Sequence, residues 1–170
     1  MKREDVKREV PQRLFSIPMR TLAIDLGSRR VGLALSDEGG KFATPLDVLT
    51  VGSADDALEP VGRIIAKEGV QQVVIGLPLN MDDSVGGAAR NSIEWAKRLG
   101  DRIGNQISIV FVDERLSSFD AEQRLAERKR GGERITRGQK KQMLDALAAA
   151  GFLQELLDGR LPPLTDIELQ

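Results

Sequence analysis

The chain has 170 residues, 41% of them apolar, and 25 Lys and Arg against 26 Asp and Glu give a formal net charge of −1. That is enough chain for one globular domain burying roughly 70% of its unfolded surface. With no Cys, no His and no Tyr, it is excluded from disulfide scaffolds, thiolate metal sites, Ser-His-Asp triads and tyrosyl-DNA intermediates. Any catalysis falls to carboxylates, hydroxyls, Lys, Arg, backbone and a bound ion, an inventory that suits hard divalent metals on oxygen ligands.

Residues 1–18 mix charges of both signs without an apolar period and read as a flexible extension, with order beginning near Met19, which also offers an alternative translation start. Thr21–Gly27 is a short apolar strand and Val31–Ser36 a second, joined by a Gly-Ser-Arg-Arg turn into a hairpin. Phe42–Leu49 supplies a third antiparallel strand, where Pro45 demands an edge position or a bulge. The period then lengthens. Residues 54–67 space their apolar side chains as an amphipathic helix, with Asp55 and Asp56 near its start. Gln72–Leu77 is a strand buried on both faces, and a helix from about Ser84 to Leu99 leads to another buried strand, Ile107–Val112. Ser117–Arg128 reads as a third helix with Ser117 and Asp120 at capping-box spacing, and Gly138–Leu157 as a long fourth. The expectation is an α/β domain over 19–158, a mixed five-stranded sheet of three antiparallel strands followed by βαβ units, flanked by helices. The tail 159–170, holding Pro162 and Pro163, reads as loose. No run approaches 18 apolar residues and the opening lacks a signal-peptide core, so no membrane is implied and the expectation is a cytoplasmic protein.

Three carboxylates stand out. Asp25 lies between Ile24 and Leu26 inside a strand, where it either accepts backbone N–H groups from Gly27 and Ser28 or meets a cation. Glu114 leaves a buried strand at its carboxyl end, the usual place for ligands in open α/β sheets; the alternative is a solvated turn in which Asp113, Glu114 and Arg115 balance charge. Asp145 sits on a helix apolar nearly all round, which implies a metal or a cation unless Lys141, one turn earlier, holds it at the rim. Converging, the three would form a divalent-metal cage suited to phosphodiester cleavage by water. From Arg124 to Lys141 the sequence holds eight basic residues, among them Arg130, Arg134, Arg137, Lys140 and Lys141, against Glu127 and Glu133. This glycine-containing segment between Glu114 and Asp145 is a candidate track for a phosphate backbone, the alternative being a solvated face. Asn80, in a turn after a strand, and Arg115 are candidates for a phosphate contact, or for turn rigidity and charge balance. Trp95 falls at core spacing, and six aromatics in all argue against a base-stacking platform.

Ile24-Asp25-Leu26-Gly27-Ser28, Val31-Gly32-Leu33-Ala34, Val74 to Asp82, Asp113 to Ser118 and Asp145 to Ala149 resemble, in order, the motifs of the YqgF/RuvX family over about residues 20–157. The resemblance implies a ribonuclease H-like fold and a nuclease maturing the 5′ end of pre-16S ribosomal RNA in ribosome biogenesis, or a Holliday junction resolvase. It places Asp25, Glu114 and Asp145 at the family's acidic positions as catalytic and metal-binding residues, with Mg²⁺ or Mn²⁺ as cofactor. One departure is Asp83, where the family usually has Gly; Asp tolerates positive φ better than most residues and adds a negative charge. The expected partner is structured RNA or branched DNA, with ribosome association in prospect and the oligomeric state, monomer or homodimer, left open. A non-catalytic RNA- or ribosome-binding protein is the alternative of another class. An actin-like kinase, suggested by Asp25-Leu26-Gly27-Ser28, needs two domains where this chain provides one.

Overall fold

The computed structural model describes residues 18–116, 126, 130–132, 134, 136–165 and 167, apart from the side chains of Leu116 and Lys141. Strands β1 (Thr21–Leu26), β2 (Arg30–Ser36), β3 (Ala43–Thr50), β4 (Gln72–Leu77) and β5 (Ser108–Asp113) form one sheet in the order β3-β2-β1-β4-β5. The first three pair antiparallel, and β1, β4 and β5 are parallel neighbours. Helices α1 (Leu58–Glu68) and α2 (Gly87–Ile103) make the two crossovers, and α3 (Arg137–Leu157) follows β5. The β1–β2 turn closes through Gly27 N donating to Arg30 O at 2.9 Å. A Cβ on Gly27 would lie 2.5 Å from that same oxygen, so the turn requires glycine. Pro45 sits on the edge strand β3 next to a register shift opposite Leu33 and Ala34, where its missing N–H costs no ladder bond.

Side chains alternate across each strand, and this sorts the core into two layers. Leu22, Ile24, Leu33, Val73, Ile75 and Phe111 meet α1 and α2 through Val61, Ile65, Trp95 and Leu99. Ala23, Ala34, Val74 and Val112 face α3 through Ala149, Ala150, Phe152 and Leu153. Small residues on the second face let α3 approach closely, and Gln154 fixes it by accepting from Ala43 N and donating to Lys41 O, both at 2.9 Å. Trp95 is fully buried, with Nε1 donating to Ala54 O at 2.8 Å. Trp95→Phe strands that carbonyl and leaves a void; we expect a loss of about 1–3 kcal/mol, read as a lower denaturant midpoint by circular dichroism.

Several expected boundaries shift. Residues 54–67 divide into a 3₁₀ turn, Ala54–Ala57, and α1, because Ser53 and Asp56 cap the first turn and Pro60 is admitted only near a helix start. Helix α2 starts at Gly87 rather than near Ser84: the Ser84 N–H and hydroxyl both donate to Asp82 Oδ1, at 3.1 and 2.5 Å, which holds Ser84 inside a turn. It runs on past Leu99 to Gly104, whose φ of +81° stops it. The helix expected over Ser117–Arg128 lies outside the described residues except at Ala126. Helix α3 begins at Arg137 with a Thr136–Gln139 capping box. It is not buried all round, since Arg137 to Lys140 and Gln142 are exposed and continuous burial begins at Ala146. The tail is not loose throughout either. Leu161 is buried, and Leu164 N donates to Phe111 O at 2.8 Å, covering part of the β5 edge. Among the described residues no helix is long and apolar enough to cross a membrane.

Candidate active site

The alternation that builds the core also gathers the acids. In β1, Asp25 follows Ala23 on the α3 side of the sheet, and Glu114, two residues beyond Val112, continues the same face past the end of β5. Asp145 comes down onto that face from α3, because Gly32 in β2 leaves no side chain between them: a Cβ there would meet Asp145 O at 2.2 Å. Gly76 in β4 does the same for Glu114, whose Cβ and Oε2 would lie 3.0 and 3.1 Å from an added Cβ. Two glycines at the face thus set two of the three carboxylates.

The electrostatics link the acids through Asp25. Burial first, and then the charge of Asp145, raises the Asp25 carboxyl to about 6. Burial first, and then Asp25 and Asp113, raises Glu114 to about 7. Asp25 thus couples to both of the others, to Asp145 and to Glu114. Among the described residues no group of three or more acids closes to metal-ligand geometry. The donor set nevertheless fits a hard divalent ion: it is oxygen alone, and its mutual repulsion and desolvation are the costs such a cation relieves.

Sequence reading missed Arg30, which it placed in a turn. Arg30 shares the α3 side of β2 with Gly32 and Ala34, and its Nε lies 2.8 Å from Asp145 Oδ2. Strand parity was the available signal. A guanidinium thus meets Asp145 from across the sheet; the Lys141 side chain, the alternative partner one turn earlier, lies outside the described residues. A cleft of about 430 Å³ opens here, lined by Asp25, Gly27, Ser28, Arg29, Arg30 and Asp145.

The remaining candidates divide. Arg115 is beside Glu114 in the 3₁₀ turn Glu114–Leu116, with Nε donating to both Asp113 oxygens at 2.9 Å, Nη1 to Asn80 O at 2.9 Å and Nη2 to Asp83 Oδ1 at 2.6 Å. The Arg115 hydrogen bond holds Asp113 below the usual carboxylate range, and Asp113 and Asp83 push the guanidinium's own pKa up. Asn80 spends its amide inside the loop, Nδ2 donating to Ser84 Oγ at 2.9 Å. Asp83 has a φ of +66°, the left-handed conformation its side chain tolerates. Arg130, Arg134, Arg137 and Lys140 are exposed, Arg137 two turns before Asp145 on α3. The Lys141 side chain, Arg124, Arg128 and Lys129 lie outside the described residues.

A mixed sheet with carboxylates gathered under its last helix defines a ribonuclease H-like protein. Two solved structures share that fold over nearly their whole length: Thermus thermophilus RuvC in complex with a Holliday junction substrate (TM-score 0.53, 16% identity, covering 86% of this chain and 99% of that one) and Thermus thermophilus RuvC (TM-score 0.50, 16% identity, 86% and 100%). The chain belongs to the RuvX family, described as Holliday junction resolvase, which matches residues 19–159. Curated relatives carry the name "Putative pre-16S rRNA nuclease". That of Anaeromyxobacter dehalogenans strain 2CP-C is 44% identical over 146 residues, 85% of this chain and 100% of the relative, and that of Acidiphilium cryptum strain JF-5 is 37% identical over 139 residues, 82% and 84%.

Proposed function

We propose that the protein is a divalent-metal-dependent nuclease that processes the 5′ end of pre-16S ribosomal RNA in the cytoplasm. The carrying observation is the placement of three carboxylates on one face of the sheet, two of them raised to about 6 and 7 by burial first and then by neighbouring carboxylates. Such a group is costly to the fold and useful to chemistry that needs a bound cation. Asp25, Glu114 and Asp145 would hold Mg²⁺ or Mn²⁺, which when bound supplies Lewis-acid stabilisation of phosphoryl charge. Asp25 is the central oxygen donor, Glu114 and Asp145 flank it, and Arg30 orients Asp145. Arg130, Arg134, Arg137, Lys140 and Lys141 would hold the phosphate backbone by charge, without reading sequence. The names of the curated relatives support RNA as substrate, and the family description supports a second reading, resolution of branched DNA.

The test is cleavage of a labelled pre-16S leader RNA and of a four-way DNA junction, each with Mg²⁺, Mn²⁺ or chelator, by wild type and Asp25→Asn. Metal-dependent cutting absent from the variant is expected, with the leader preferred. Preference for the junction would move the assignment to the resolvase. Binding of either probe without cutting by wild type would favour a non-catalytic RNA- or ribosome-binding protein. Since the whole chain carries −1, attraction to nucleic acid must come from the local basic segment. Affinity is accordingly expected to fall about 10- to 100-fold between 50 and 200 mM salt. A salt-insensitive affinity, measured by fluorescence anisotropy, would remove that segment from the binding surface.

A further inference from the structure

Arg115 is the cation nearest in sequence to Glu114, yet its guanidinium is already engaged on every side. Asp113, with only 18% of its side chain exposed, takes the Nε edge, and the Asn80 carbonyl takes Nη1. The third partner is different. Asp83 reaches Nη2 at 2.6 Å from a loop residue whose side chain is 78% exposed. Its backbone is held at a φ of +66°, and it is the one non-glycine with positive φ among the described residues. Asp113 alone would leave the guanidinium a neutral pair. Asp83 turns the group into a net negative one beside the other carboxylates, where an approaching phosphate would be repelled.

Asp83 meets the guanidinium through one oxygen, Oδ1 on Nη2, a contact that a single phosphate oxygen can make in its place, so the two compete for one donor. An ion pair this exposed is weak and readily exchanged. We propose that Asp83 is an affinity-setting residue that occupies the outer edge of Arg115 in place of a substrate phosphate oxygen, and that nucleic acid binds by displacing it. This rests on the nuclease reading above. The latch is local, since Asp83 acts only through Arg115. It sets how tightly the backbone is held next to Glu114.

The test is a double-mutant cycle on the full chain, with binding of the leader RNA and the four-way junction measured in chelator. Asp83→Asn keeps a side chain that tolerates positive φ and removes only the charge. It is expected to tighten binding about 3- to 10-fold. In an Arg115→Ala background the same change should alter affinity by less than about twofold, because the latch has lost its partner. With metal, Asp83→Asn should lower KM while leaving kcat unchanged. If Asp83 is only a strut for the loop, Asp83→Asn weakens binding or leaves it unchanged, and the proposal fails. Equal tightening in both backgrounds also overturns it, since that marks a general charge effect. No binding of either probe by any variant overturns the nuclease reading itself, and the latch with it. Melting curves of all four proteins identify any variant that has lost its fold, and Asp83→Gly, which relaxes the same φ, replaces Asp83→Asn in that event.

Discussion

Asp25→Asn is expected to abolish cleavage and, in chelator at pH 8, to make the protein more stable. The Asp25 carboxyl is pushed up to about 6, because burial first and then Asp145 disfavour its charged form. A raised carboxyl pKa means that between pH 4 and pH 6 the folded state binds more protons than the unfolded one. Stability therefore falls as pH rises through that window. By pH 8 the full penalty is present, and the neutral amide removes about 1–3 kcal/mol of it. Below pH 4 the carboxyl is protonated in both states, so wild type and variant should converge. Glu114→Gln should behave alike, with its window reaching pH 7. Adding Mg²⁺ or Mn²⁺ reverses the order, since only wild type then gains from ligand binding. Cleavage should drop by about 10³-fold or more, the equivalent of several kcal/mol of charge stabilisation. Thermal melts across pH, with and without metal, check this. An Asp25→Asn protein less stable than wild type at pH 8 in chelator would assign Asp25 the structural role, accepting backbone N–H groups.

Gly32→Ala is expected to cost at least about 3 kcal/mol or to prevent folding, because the methyl would stand 2.2 Å from Asp145 O and 2.3 Å from its carbonyl carbon. These are backbone atoms of a long helix and cannot rotate away. Relief comes only by lifting α3 off β2, which also opens the Ala34–Ala149 layer and carries the Asp145 carboxylate away from Asp25. Any folded fraction should therefore lose cleavage as well. Gly138→Ala is the matched control: nothing lies within 4 Å of its Cβ position, and alanine is the better helix former by about 1 kcal/mol. Urea denaturation of the pair should move the two midpoints in opposite directions. A Gly32→Ala protein as stable as wild type would mean that α3 does not press on β2 as described.

The two predictions share a cause. The face that binds α3 is paved with Ala23, Gly32, Ala34 and Gly76, and this lets a helix approach closely enough to set a carboxylate against the sheet. The same closeness desolvates Asp25 and Glu114 and raises their pKa values. Stability and the proposed cation binding are thus set against each other by one packing decision.

Local chemistry in the chain was sufficient for much of this. Strand alternation and the helical period marked the five strands and three helices around them, the helix expected over Ser117–Arg128 lying outside the described residues except at Ala126, and Gln72–Leu77 is bounded as its apolar run predicts. A carboxylate inside an apolar strand and another on an apolar helix are anomalies visible without coordinates, because burial of charge is costly wherever the chain goes. Pro45 carried its own edge-strand signal, since a residue without an N–H cannot serve a central ladder. What local chemistry could not decide was who meets whom. Arg30 finds Asp145 across 115 positions of sequence, a contact made only when β2 lies under α3. The tail looked loose because its prolines break secondary structure, yet Leu161 and Leu164 dock on surfaces that exist only once the sheet has formed. Asp83 read as an added charge in a turn, and only the folded loop turns that charge toward Arg115. Periodicity and the cost of buried charge are properties of a segment and survive in the sequence, whereas pairing between distant charges depends on the relative placement of elements, which only tertiary packing fixes.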